Sequence, residues 1–303
     1  MCQLMLTVKE DNNNCRIGEM PQLDSENPID QALATALSGA LSPDCPPKFA
    51  SALHYAVFPG GSRIRPKLLQ AVAYACGNAD PVATMAEACA IELLHCASLV
   101  HDDLPCFDGA AYRRGKPSVH VEFGERLAVL AGDALIVEAF AATANFPQIT
   151  RMVAQAASAP HGICAGQAWE CEDSMDLVNY QRAKTGALFA ACTMVGAVAS
   201  GRDPQPWQNL GMLIGEAFQV ADDLRDVAGV SGEIGKPTGQ DAAHGPPNMV
   251  STLGFDGAVQ HLENLLARVV DSIPDCPGRT ALGQQIVTVS RSMVPKQLHR
   301  GAA

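Results

Sequence analysis

The stretch Leu93–Lys116, LLHCASLVHDDLPCFDGAAYRRGK, gathers many of the residues in this chain that could do chemistry. An apolar helical pattern carrying His95 and His101 runs up to Asp102 and Asp103 and stops at Pro105, which cannot supply the next helical N–H; a third acid, Asp108, follows. Carboxylates at a helix C-terminus face the negative end of the helix dipole, so a positive partner is required there. Two candidates exist: Arg113 and Arg114 within the stretch, or a divalent cation. Clustered hard carboxylates suit Mg²⁺, which keeps several waters and bridges to phosphate oxygens. The two arginines offer forked donors to a phosphate. Alone, such an acidic run is commonly a solvated loop; a second cluster changes the balance.

That cluster is Asp222, Asp223 and Asp226 in GEAFQVADDLRD. Asp222 and Asp226 stand at i and i+4 on one helix face, with Gln219 one turn earlier on the same side. Like charges at that spacing repel, so the helix gives up some stability to carry them. Two acidic clusters on otherwise apolar helices imply opposite walls of one site for a metal and a polyanion. In PGGSRIRPKLL, two glycines let the backbone approach a ligand, and Arg63, Arg65 and Lys67 lie at the start of the next helix, where N–H groups and the dipole favour an anion. The same segment also reads as a solvated turn flanked by bases. His95, two turns below Asp102 on the same face, is either a satisfied core residue or a ligand contact. Lys184, with Thr185 at the mouth of an apolar helix, is either a snorkelling residue or a phosphate ligand.

The elements that must position these groups are helices. Apolar periodicity and proline or glycine breaks predict helices from Pro28 to near Ser42-Pro43, from after Pro46-Pro47 to the break at Pro59-Gly60-Gly61, and over 68–76, 83–103, 124–144, 208–228, 256–272 and 279–293. A helix start is read at 162–170, and the nearly all-round apolar segment 180–200 belongs at the centre of a bundle. No strand with convincing alternation and no repeat is seen. Residues 1–25 lack periodicity and read as a disordered leader before a single domain over 26–303. The chain has 303 residues, of which 48% are hydrophobic and 5% aromatic, suiting a helical protein with a large core. A net charge of −11 with no basic run argues against a nucleic-acid partner. No uninterrupted apolar stretch reaches the length of a membrane span and no signal peptide is recognisable, so the expectation is a soluble, cytoplasmic protein without a transmembrane segment. Eleven cysteines without a CxxC pair read as reduced, small core residues rather than zinc ligands.

Taken together, GGxRxRP at 60–66, HxxSLxHDDLPxxD at 95–108, RRGKP at 113–117, GQ at 166–167, KTG at 184–186, FQxxDDxxD at 218–226 and GKxxGxD at 235–241 resemble the trans-isoprenyl diphosphate synthases over roughly residues 28–295. The wording is most similar to the geranylgeranyl diphosphate synthases of carotenoid and bacteriochlorophyll pathways in photosynthetic proteobacteria. The resemblance implies an all-α isoprenoid-synthase bundle around a deep central cavity, and a homodimer. It implies condensation of isopentenyl diphosphate with dimethylallyl, geranyl or farnesyl diphosphate. Asp102 and Asp108, supported by Asp103, would hold two Mg²⁺ on the allylic diphosphate, and Asp222, helped by Asp223 and Asp226, a third. Arg113, Lys184, Thr185, Gln219 and Lys236 would contact that diphosphate, and Gly61, Arg65, His95 and Arg114 would hold isopentenyl diphosphate.

Three departures stand out. The family's lysine in GGKRxRP is Ser62 here, leaving one phosphate ligand short, so that either isopentenyl diphosphate binds more weakly or Arg63 substitutes. Gly109-Ala110-Ala111 replaces further acids after the first motif, and His244-Gly245-Pro246-Pro247-Asn248 replaces the usual run after Asp241. Competing readings are a farnesyl diphosphate synthase, a catalytically silent partner subunit, and a terpene cyclase that would lack the isopentenyl diphosphate site. Ser98 and Ala97, four and five residues before Asp102, lie roughly 6–7.5 Å below the acidic tip; the resemblance implies that bulky aromatics here stop growth at fifteen carbons, so these small side chains leave room for at least one more five-carbon unit, and the resemblance favours twenty carbons.

Overall fold

Proline opens four of the helices, at the position where its missing N–H is not needed: α1 (Pro28–Ala36), α2 (Pro47–Val57), α4 (Pro81–Asp102) and α7 (Pro147–Ala157). Asp80 adds a side-chain cap to α4, accepting the Val82 and Ala83 N–H groups at 3.1 and 3.0 Å. The computed structural model describes residues 27–58, 61–77, 80–227 and 249–293. The expected leader, the Lys236 loop and the altered segment at 244–248 lie outside the described residues.

Between these helices run α3 (Ile64–Ala75), a small hairpin of β1 (Tyr112–Arg113) and β2 (Lys116–Pro117), α5 (Val119–Phe123), α6 (Glu125–Thr143), α8 (Ile163–Ala168) and α9 (Leu177–Gln181). A π-helical turn, Arg182–Gly186, leads into α10 (Ala187–Ala199), followed by α11 (Gln208–Val227), α12 (Met249–Asp271) and α13 (Arg279–Met293). Gly254, at φ 71°, kinks α12 near its start. The bundle has α4 and α10 at its centre: α4 packs on α1, α3, α6 and α10, and α10 on α3, α7 and α11. Apolar on every side, α10 buries Leu188, Phe189, Cys192 and Val195 completely or nearly so, as its sequence requires. Helix α4 has the length and hydropathy of a membrane span, but Ile91, Leu93, Leu94, Cys96, Ala97 and Val100 are at most 3% exposed, so its apolar surface is consumed within the bundle.

The periodicity located most helices to within a few residues, with α1 ending sooner, at Ala36. It missed α7, although Ile149, Met152, Val153 and Ala156 follow the helical spacing, and it missed the hairpin, whose strands are too short to alternate. Cysteines also divide: Cys76, Cys89, Cys96 and Cys192 are buried as expected, but Cys106, Cys164 and Cys171 are exposed, and all nine described cysteines are free.

Arg63 is the main departure from expectation. It sits before α3 in a left-handed conformation, φ 51°, with its guanidinium 2% exposed. Its Nε donates to Asp30 at 2.8 Å, Nη1 to Glu92 at 2.7 Å and Nη2 to the Val57 carbonyl at 2.8 Å, tying α1, α2 and α4 together. The left-handed backbone is tolerated because three contacts hold it. With every arm of its fork engaged in the core, Arg63 does not take the place of the missing lysine in a phosphate site.

Candidate active site

Two residues after α4 ends, the chain turns back. The Asp108 N–H donates to the Asp102 carbonyl at 2.9 Å and the Gly109 N–H to the Leu104 carbonyl at 3.0 Å, capping open helical carbonyls and returning exposed Asp108 to the acidic tip. The hairpin then turns at Arg114-Gly115, both at positive φ (54° and 74°) as a two-residue type I′ turn demands. That tight turn sends two neighbouring arginines to different tasks. Arg113 forks onto Asp103, its Nε donating to the two carboxylate oxygens at 3.0 and 3.2 Å and its Nη2 also donating to Oδ1. The positive partner required at this helix end is therefore supplied for Asp103, which is 2% exposed.

Asp102 turns the other way. Its Oδ1 accepts from Gln167 at 2.7 Å and lies 3.6 Å from the Lys184 ammonium. Lys184 also donates to Glu170 at 2.6 Å. Burial disfavours that ammonium, but Asp102, Tyr180 and Glu170 outweigh burial and hold its pKa above the ordinary lysine value, so it stays charged. The placement depends on Gly166: a Cβ there would stand 2.4 Å from the Lys184 nitrogen, so only glycine lets α8 lie directly on the π-helical turn.

The next residue, Thr185, donates to Gln219 at 3.1 Å, and Gln219 donates to Asp223 at 3.1 Å. Lys184 and Thr185 thus connect the two acidic walls, the first through Asp102 and the second through Gln219. On α11 it is Asp223 that is buried, 6% exposed, and it also accepts the Met249 N–H of α12 at 2.7 Å. Asp222 is half-buried and paired with Arg225 at 2.8 Å, and Asp226 is half-buried one turn beyond. Gln219 thus bonds the i+4 acid Asp223, while the Asp222–Asp226 repulsion is relieved by Arg225.

A second cluster gathers Arg65, His95 and Arg114, with Glu92, the partner of Arg63, the carboxylate whose charge reaches Arg65. Arg65, 9% exposed, lies over the Phe189 ring at 4.7 Å, and its Nη1 is 3.2 Å from His95 Nε2. Burial, then Arg65 and Arg114, push the His95 pKa well below its ordinary value, so His95 is neutral and its Nε2 accepts the arginine N–H. Arg65 forms no ion pair among the described residues and its Nε has no hydrogen-bond partner. Arg114 stacks above Gly61, where a Cβ would be 3.0 Å from its Nη2; the glycine makes room for the guanidinium. Buried, unpartnered guanidinium atoms call for an anion.

Gln167, quoted only as part of a short motif, and Glu170, not anticipated, belong to the first wall; their i, i+3 spacing was the available signal. Among the described residues no three metal-ligating side chains converge on one point. Mg²⁺ takes one or two carboxylates and completes its shell with water and phosphate oxygens, a set that Asp102 and exposed Asp108 fit, while Asp103 is taken on both oxygens by Arg113.

An all-helical bundle with one acidic, metal-competent anion site and one cationic anion site defines a synthase that brings two phosphorylated substrates together. Residues 46–279 match the Polyprenyl synthetase family, and the chain belongs to it. The geranylgeranyl diphosphate synthases of Rhodobacter capsulatus and Cereibacter sphaeroides are 48% and 49% identical to it, each over 90% of this chain, covering 99% and 98% of those proteins. The crystal structure of a geranyltransferase from Helicobacter pylori complexed with magnesium and isoprenyl diphosphate is similar with a TM-score of 0.71 at 28% identity, over 88% of this chain and 99% of that one. The all-α isoprenoid-synthase fold expected from the motifs is the fold observed.

Proposed function

We propose that this chain catalyses the Mg²⁺-dependent condensation of isopentenyl diphosphate with allylic diphosphates (dimethylallyl, geranyl and farnesyl), with geranylgeranyl diphosphate as the product, in carotenoid or bacteriochlorophyll synthesis. The observation that carries this reading is the split between the two arginines of the hairpin, Arg113 on the acidic wall and Arg114 beside Gly61, near Arg65, which forms no ion pair among the described residues and whose Nε is buried without a hydrogen-bond partner. Two diphosphates of different chemistry are thereby distinguished: one held through metal ions, one held directly by cations.

On the allylic side, Asp102, Asp103, Asp108, Asp222, Asp223 and Asp226 would hold the ions, three in number, and Lys184, Arg113, Thr185, Gln219 and Lys236 the diphosphate. Bound Mg²⁺ neutralises charge on the leaving diphosphate. Lys184, kept cationic, holds the same phosphate group and lowers the barrier as the C–O bond breaks and its electron pair stays on the diphosphate. Gly61, Arg65, His95 and Arg114 orient isopentenyl diphosphate so that its double bond forms the new C–C bond to the allylic carbon. The proton then lost goes to the departed diphosphate; His95 is engaged with Arg65 and is not the base.

The same reading includes a homodimer and a cytoplasmic location. Val129, Leu130 and Val137 on α6 are 41%, 52% and 64% exposed, apolar residues on either side of exposed Asp133 that a second copy would cover. Exposed free thiols at Cys106, Cys164 and Cys171 suit a reducing compartment.

Incubation with Mg²⁺, isopentenyl diphosphate and each allylic primer, followed by chromatography of the dephosphorylated products, tests the proposal. Geranylgeraniol is expected from each primer. Farnesol as the main product would overturn the twenty-carbon assignment, and no product from any primer would overturn the transferase reading.

A further inference from the structure

We propose that Cys76 and Cys276 close a reversible disulfide that staples the end of α3 to the turn between α12 and α13. The inference is independent of the condensation reading and concerns two residues that the active site does not use.

Helix α3 ends at Ala75 with Cys76 as its C-terminal cap, and Cys276 stands in the segment that carries the chain from the end of α12 at Asp271 to the start of α13 at Arg279. These two points lie about two hundred residues apart in the sequence, yet the backbone holds them together. The Gly278 N–H donates to the Ala75 carbonyl at 2.8 Å, and a Cβ on Gly278 would stand 2.7 Å from the Ala75 Cα, so only glycine allows the approach. A disulfide needs its two Cα atoms roughly 4–7 Å apart, and a crossing this close brings the flanking residues together. The side chains complete the arrangement: the Cys76 and Cys276 thiols are in contact with each other. Both are free, Cys76 at 4% exposure and Cys276 half-buried. The other buried thiols with shifted pKa values, Cys89, Cys96 and Cys192, have Glu92 with Arg63 or Arg65 as charged neighbours instead.

The two thiols divide an exchange reaction between them. Burial, then Cys276, pushes the Cys76 thiol up to about 11, which makes it the poorer first nucleophile. Cys276 is reachable from solvent; burial raises its pKa, while the Gly278 N–H, Arg202 and Arg279 favour its thiolate against Asp275. With glutathione disulfide as oxidant, the Cys276 thiolate attacks one sulfur and expels a glutathione thiolate, which takes up a proton. Cys76 then gives up its proton and attacks the Cys276 sulfur, expelling the second glutathione. Two protein thiols are oxidised and one glutathione disulfide is reduced to two glutathiones. The bond lies roughly 16 Å along α3 from Arg65, so it ties down the C-terminal helices without entering the site. Closing so long a loop restricts the unfolded chain and thereby stabilises the folded one.

The test uses the full-length protein equilibrated with glutathione disulfide or with dithiothreitol, comparing wild type with Cys276→Ser, Cys76→Ser and Cys76→Ala. Mass spectrometry of unreduced digests reads the covalent state, and calorimetry reads Tm. Oxidised wild type is expected to yield peptides joined through Cys76 and Cys276. Its rise in Tm on oxidation should exceed that of Cys276→Ser, which keeps every other thiol, by roughly 5 °C or more. Either Cys76 variant should retain glutathione on Cys276, trapped for want of the second thiol. Glutathione persisting on Cys276 of the wild type would overturn the proposal, as would both thiols left free under conditions that modify the exposed Cys106, Cys164 or Cys171. Joined peptides with no Tm gain over Cys276→Ser would overturn the staple.

Discussion

Arg63 and Arg65 stand two positions apart and have opposite fates. Arg63 is satisfied on every arm by Asp30, Glu92 and the Val57 carbonyl; Arg65 is buried over Phe189 with an orphan Nε and no ion pair. One cation stabilises the fold, and the other carries an unmet demand for an anion. Removing one partner of a buried ion pair leaves the other charge uncompensated, so Arg63→Met is expected to cost roughly 3–5 kcal/mol, read by urea unfolding, with the substrate KM values little changed in the surviving folded fraction. A stability loss below about 1 kcal/mol would contradict the core role. Glu87 makes a pH-dependent contribution of its own. It is 1% exposed with Oε2 unpartnered, and burial, then Asp80, push its carboxyl up to about 7 from 4.5. A raised folded-state pKa contributes stability that is full below the unfolded value and is lost as pH rises toward the folded one, here between about 4.5 and 7. Glu87→Gln should therefore stabilise the protein by up to roughly 3 kcal/mol near pH 8 and by little near pH 5. Equal shifts at both pH values would mean that the carboxyl stays ionised when folded.

Helix α4 acts as a ruler with the acidic tip as its zero. Its residues divide by face: His101 lies against Gly132 of α6, near the Val129 carbonyl at 3.4 Å, so Ala97, one turn earlier, also turns toward α6. Ser98 stands one turn below Asp102 on the acid's own face, half-buried, its hydroxyl satisfied by the His95 carbonyl at 2.8 Å. Ser98 therefore lies where a tail pinned at Asp102 would pass, whereas Ala97, turned toward α6, borders that path less directly. Ser98→Phe is expected to shift the main product from geranylgeranyl to farnesyl diphosphate, with Ala97→Phe doing so less completely and with greater loss of stability, because Ala97 is 1% exposed. Product chromatography decides it: unchanged geranylgeraniol from Ser98→Phe would mean that the tail runs along another face.

At the scale of the molecule, α6 carries exposed apolar residues on its outward side, Val129, Leu130 and Val137, around the exposed Asp133. The inward side is consumed by α4, close enough that Gly132 leaves no room for a Cβ beside His101. The outward Leu130 and Val137, seven residues apart, are left exposed by the described residues, and under the proposed function they are expected to meet a second copy. Leu130→Glu with Val137→Glu should convert the proposed dimer to monomer in sedimentation equilibrium while the circular dichroism of the helices is retained. A wild-type monomer at micromolar concentration, or a dimer that survives both charges, would refute that surface.

Helix positions, both acidic walls and the cationic segment were legible in the chain itself, because helical periodicity is local and carboxylates on an apolar helix are conspicuous wherever they stand. Asp102, Asp103, Lys184 and Arg65 needed only that reading to become candidates. Their partners were another matter, since those choices depend on residues distant in the chain arriving at one place. That Arg63 serves Asp30 and Glu92 while Arg65 does not, and that Arg113 takes Asp103 while Gln167 and Lys184 take Asp102, was decided by packing. So was the inward turn of Asp223 rather than Asp222, because α12 presents its Met249 N–H there. A cation's role follows from which carboxylates reach it first, and tertiary structure alone determines that order.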